Sequence, residues 1–88
     1  MEVIISPYAK KQLKKLPKLI QFSVANKVRN FLVDFKTSNT KQLTGYKNIY
    51  RVRIGNYRMV YRVTDQKIYI ILISHRKEAY LLLKRIVS

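Results

Sequence analysis

Arg51, Arg53 and Arg58 fall in the stretch Tyr50-Arg-Val-Arg-Ile-Gly-Asn-Tyr-Arg-Met-Val-Tyr61, where apolar and basic residues alternate around one turn. Guanidinium groups grip phosphate oxygens through paired N–H donors and stay charged, so they suit a phosphodiester and the charge that develops on it during reaction. His75, Arg76 and Tyr80 follow in one short segment. Histidine is the side-chain type that exchanges a proton near neutral pH, which makes His75 a candidate acid or base, and a tyrosine ring offers a surface on which a base can stack. RNA brings its own nucleophile in the 2′-hydroxyl. A protein that orients this hydroxyl, neutralises the phosphorane and moves the two protons needs neither metal nor paired carboxylates, and deoxyribose would be inert to it. The plainer alternatives are a solvated hairpin face for the arginines and a polar strand end for His75. Arg62 and Lys67 read as surface, and Tyr50, Tyr57 and Tyr61 as core.

Alternation implies half-buried strands, because successive side chains leave a pleated backbone on opposite faces. Gly55-Asn56 reads as a two-residue type II′ loop, which sets Ile54 opposite Tyr57 and Arg53 opposite Arg58. Like charges directly across a ladder are destabilising, and an anionic ligand would relieve the conflict. Thr64 to Lys67 is a second turn, and Ile68 to Ser74 a β-branched strand. With Asp65-Gln66 as loop residues, Val63 pairs with Ile68 and Arg58 with Ile73, so His75 emerges on the arginine face; a slip of one residue would reverse that. Leu72 then joins Val52, Met59 and Tyr61 on an apolar face, while Ile73 lies with Val60 and the arginines.

Upstream, Val3 to Ile5 is strand-like and Ser6-Pro7 is a helix start, the hydroxyl capping free N–H groups. Ala9, Leu13 and Leu16 line one face of a first helix that Pro17 ends or bends. Ile20, Val24, Val28, Phe31, Leu32 and Phe35 line a second helix from Lys18 to about Lys36. Thr37 to Thr40 reads as a loop, and Lys77 to Ile86 as a final helix carrying Leu81, Leu82 and Ile86, placed to cover the apolar part of the arginine face and leave the arginines in an open groove. The expected fold is α+β: an N-terminal helical hairpin packed on a small, mainly antiparallel sheet with a short C-terminal helix, in a single domain over residues 1–88.

Nineteen Lys+Arg against four Asp+Glu give the 88 residues a net charge of +15. A field of that size points to polyanionic partners, with nucleic acid first. Cysteine is absent, and one histidine with Glu2, Asp34, Asp65 and Glu78 makes no metal-ligand cluster or carboxylate pair. No metal or cofactor is expected. No apolar run approaches a membrane span and no signal-peptide pattern opens the chain, so a cytoplasmic location away from membranes is the simplest expectation.

Leu43-Thr-Gly45, the Tyr50 to Tyr61 stretch and His75-Arg-Lys-Glu-Ala-Tyr80 together resemble the RelE/ParE superfamily of toxin–antitoxin toxins, on the RelE side. The resemblance implies an mRNA interferase that enters the ribosome, meets mRNA in the A site and 16S-type rRNA, and cleaves the codon to leave a 2′,3′-cyclic phosphate. It also implies an acidic cognate antitoxin. Carried over by position, Arg58 is the arginine at the scissile phosphate, Arg76 a second catalytic arginine and Tyr80 a stacking tyrosine. Arg51 and Arg53 stand where the best-known member carries lysines. Arginine does not give up its proton, so these two become substrate-binding groups and His75 inherits part of the proton transfer. Two other readings share the features: a non-catalytic ParE-like toxin that binds DNA gyrase, and a plain RNA-binding module.

Overall fold

The computed structural model describes residues 2–33, 40–43 and 45–87. In chain order these form β1 (Glu2–Ile5), α1 (Pro7–Lys15), α2 (Lys18–Val33), β2 (Thr40–Gln42), β3 (Ile49–Ile54), β4 (Tyr57–Val63), β5 (Lys67–His75) and α3 (Ala79–Val87). The sheet has the strand order β1-β5-β4-β3-β2, with β1 parallel to β5 and the remaining pairs antiparallel. The α+β architecture is the expected one.

Ser6 starts α1 as anticipated, and does more. Its hydroxyl oxygen accepts from the Ala9 N–H at 3.0 Å and donates to the Ile71 carbonyl at 2.9 Å, so one side chain caps the helix and fastens it to β5. Pro7 occupies the first turn, and Leu16 and Pro17 separate the two helices. The hairpin of α1 and α2 covers the sheet face carrying Val52, Ile54, Met59, Tyr61, Ile68 and Ile70, with Ala9, Val24 and Phe31 buried against it. At its centre the Tyr61 ring lies 4.8 Å from Phe31 and 5.9 Å from Tyr50, tying helix to sheet. α3 covers part of the other face, packing Ala79 and Leu83 with Ile49, Val60, Ile71 and Leu72.

Three expectations need correction. Thr40 opens β2 and is not a loop residue; an edge strand is held by backbone pairing with β3 and needs no apolar alternation. The predicted end of the second helix at 34–36, and loop residues 37–39, lie outside the described residues. In α3, which begins at Ala79, the stripe facing the sheet is Ala79, Leu82 and Leu83, spaced i, i+3, i+4, while Leu81 and Ile86 are exposed. The third concerns β5. Tyr61 pairs with Ile70 but Val60 pairs with Leu72, leaving Ile71 as the extra residue of a β-bulge. Arg58 therefore stands opposite Ser74 rather than Ile73, and Leu72 and Ile73 exchange faces: Ile73 is in the helix-covered core and Leu72 under α3.

Candidate anion-binding site

The β3–β4 hairpin positions the arginines. Gly55 has φ +59° and Asn56 stays out of positive φ, the signs of a type II′ turn. That turn fixes the register, with Ile54 opposite Tyr57 and Arg53 opposite Arg58 as the sequence dictates. Arg53 is exposed and Arg51 half-buried. Arg58 is not in an open groove: it is only 8% exposed. Its Nη1 donates to the carbonyl oxygens of Tyr57 at 3.0 Å and Gly55 at 3.3 Å, so the guanidinium is folded back over its own turn. This engages Nη1 in the turn; among the described residues no acceptor takes Nε or Nη2, so their N–H groups are the ones an anion could use.

Two residues that pattern reading missed complete the tip. Ser74, 5% exposed, is the cross-strand partner of Arg58. Gln12 reaches it from α1: its Nε2 donates to Ser74 Oγ, and its Oε1 accepts from the Ile73 N–H at 2.8 Å. The side chain thus stands in for a neighbouring strand along the part of β5 beyond its pairing with β1, which ends at Ile70. Nothing in the sequence marks Gln12, which reads as one polar residue among lysines, and the bulge hides Ser74.

His75 is not on the arginine face. The bulge sets it opposite Tyr57, and the two rings meet edge-on at 5.8 Å. Its Nδ1 accepts from the Lys77 N–H at 3.3 Å, so the neutral ring carries its proton on Nε2. The backbone N–H of Arg76 donates to the Asn56 carbonyl at 2.8 Å, which joins the segment after β5 to the hairpin loop and leaves the Arg76 side chain exposed. Tyr80, 43% exposed on the first turn of α3, lines a groove with Leu43, Tyr46, Leu81 and Lys84. The structure therefore brings Arg53, Arg58 and Ser74 together, ties the Arg76 backbone to them, and sets His75 behind the sheet and Tyr80 on the flanking helix.

A basic α+β protein with an arginine-bearing hairpin held between helices is the class that fold and site define. A family model described as the ParE toxin of type II toxin–antitoxin systems, parDE, matches residues 3–80. Toxin RelE3 of Methanocaldococcus jannaschii is 36% identical over 87 residues, covering 91% of this chain and 96% of that protein. The chain belongs to the RelE/ParE family of type II toxin–antitoxin toxins, on its RelE-like side. Among solved structures, the RelB–RelE antitoxin–toxin complex of Methanococcus jannaschii matches with a TM-score of 0.77 at 26% identity, covering 88% of this chain and 94% of that one. The archaeal RelE–RelB complex of Pyrococcus horikoshii gives 0.66 at 29% identity, covering 85% and 93%. The isolated E. coli RelE toxin, at 24% identity, a TM-score of 0.72 and 97% coverage of both chains, shares the fold. No described helix is long and apolar enough to cross a membrane.

Proposed function

We infer that this chain is the toxin of a RelBE-type pair and an endoribonuclease that cleaves mRNA in the ribosomal A site. The observation that carries this reading is the placing of Arg53 directly across from Arg58 at the hairpin tip. A folded chain tolerates that repulsion at low cost when an anion is meant to lie between the two groups. In the reaction the substrate's 2′-hydroxyl oxygen attacks the adjacent phosphorus, a proton leaves that hydroxyl, and the 5′-oxygen departs with a proton, giving a 2′,3′-cyclic phosphate. Arg58, through its Nε–Nη2 edge, and Arg53 hold the non-bridging oxygens as their charge rises. Arg51 and Arg76 bind flanking phosphates, and Tyr80 stacks on a base. His75 can accept a proton at Nε2 only after its own moves to Nδ1, which breaks the bond from Lys77.

Translating ribosomes given the purified chain should show A-site cuts by primer extension. The cuts should be lost in Arg58→Ala and when the scissile ribose is 2′-deoxy; cleavage that survives the deoxy change excludes this chemistry. Unaltered single-turnover cleavage in His75→Ala removes that residue from proton transfer. An acidic antitoxin partner is supported by the net charge of +15 and by the RelB-bound state of several matched structures. The family model's own description, a ParE toxin, favours a second reading, a non-catalytic block of DNA gyrase. Inhibited supercoiling with intact mRNA would select it.

A further inference from the structure

The groove beside α3 has the make-up of a base pocket, and Tyr80 is only one of its walls. Leu43 follows β2, and its N–H donates to the Ile49 carbonyl at 2.9 Å; the Tyr46 N–H donates to the Leu43 carbonyl at 3.3 Å, and Tyr46 packs half-buried on the core under α3. From the other side, the first turns of α3 bring Tyr80, Leu81 and Lys84 to the same groove, whose volume is about 340 Å³. That is within the range of small-ligand sites. Tyr80 is 43% exposed and Leu81 64% exposed, although both belong to a helix with a buried stripe available. Two aromatic rings and two leucines with a lysine at the margin match a flat, apolar ring that carries a phosphate, and the net charge of +15 selects polyanions from among apolar ligands.

The geometry points to a nucleobase-binding pocket in which Tyr46 is a second contact surface, facing a base that Tyr80 also touches, with Lys84 on the adjoining phosphate. This rests on the reading of the chain as an RNA-cleaving toxin and adds to it a residue outside the hairpin and the His75 to Tyr80 segment. Tyr46 adds a stacking surface that accepts any base, and Lys84 acts on every sequence alike.

The chain has no tryptophan, so Tyr46→Trp introduces a single indole that reports the pocket. The probe is a short oligoribonucleotide made uncleavable by 2′-deoxy substitution, compared with the same oligomer carrying abasic sites. The expected result is saturable quenching by the first and little by the second, with Tyr80→Ala weakening the affinity by about ten- to a hundredfold. Lys84→Ala should lower the salt slope of binding by about one and leave the base dependence intact. Equal quenching by both oligomers, or none while anisotropy still shows binding, overturns the proposal; so does quenching by an acidic peptide and not by RNA. Ribosome cleavage by the unmodified chain is scored separately. Base-dependent quenching without any cleavage leaves the pocket standing and removes the endoribonuclease reading, whereas cleavage without quenching removes the pocket alone.

Discussion

At the scale of single residues, the opposition of Arg53 and Arg58 has a measurable consequence. In a double-mutant cycle of Arg53→Ala and Arg58→Ala followed by urea unfolding, the pair should show a repulsive coupling of roughly 0.2–1 kcal/mol at low ionic strength. The coupling should fade toward 1 M salt, where screening extends only about 3 Å. The same Arg58→Ala change should lower single-turnover cleavage by about 10²–10³, the usual effect of losing one donor to a developing oxyanion. This pair was legible from the sequence because a two-residue loop beginning with glycine admits one register. Ser74 was not, since its place beside Arg58 depends on a bulge at Ile71, across a second turn whose own register was read correctly at Val63 and Ile68. Gln12 was invisible for a different reason: its role exists only once α1 lies along the open side of β5.

At the scale of elements, helix starts and strand alternation were readable and helix faces less so. Ser6, Pro7 and Pro17 punctuate the chain by local chemistry that holds in any context, and the structure keeps all three signals. The face of α3 depends on which side the sheet approaches from, and three consecutive leucines, Leu81 to Leu83, leave that choice open until Ala79 fixes it by close packing. β2 carries no pattern because three residues of edge strand need only backbone partners. The Ser6 hydroxyl links two elements, so its removal costs twice. Ser6→Ala should lose the cap, about 1 kcal/mol, and leave the Ile71 carbonyl without its donor, about 1–3 kcal/mol. Thermal and urea unfolding should show a loss of roughly 2–4 kcal/mol, against about 1 for an ordinary cap; a loss of 1 or less would mean that the Ile71 bond contributes nothing.

For the whole molecule, charge dominates behaviour at a distance. Lys10, Lys11, Lys14 and Lys15 are all exposed along α1, on the side of the sheet away from the arginines. RNA affinity should fall steeply as salt rises, with a slope of about −0.7 per phosphate contacted on a single strand. Replacing Lys10 and Lys14 together by alanine should flatten that slope if the helix touches the polyanion, and leave it unchanged if this face is merely solvated. Capture of an acidic antitoxin should slow with salt in the same way. Net charge was legible from composition, and it pointed to polyanionic partners. Charge of this kind suits an RNA that is cut and an acidic protein that is bound alike; in the proposed function the difference rests on a few atoms at the hairpin tip.

The bulge at Ile71 separates what a pattern shows from what a gene can change. In β4 and β5 the side of the sheet a residue occupies is a matter of parity, odd or even, and one additional codon inverts the count for everything after it. Removing that codon would leave Val60 with Leu72, Arg58 with Ser74 and Tyr57 with His75 in an unbroken ladder, at the expense of one buried isoleucine beneath α3. A relative lacking it could carry the same tip and announce it openly in its alternation. Here the added residue conceals the place of Ser74 from a reader of the sequence without displacing the tip.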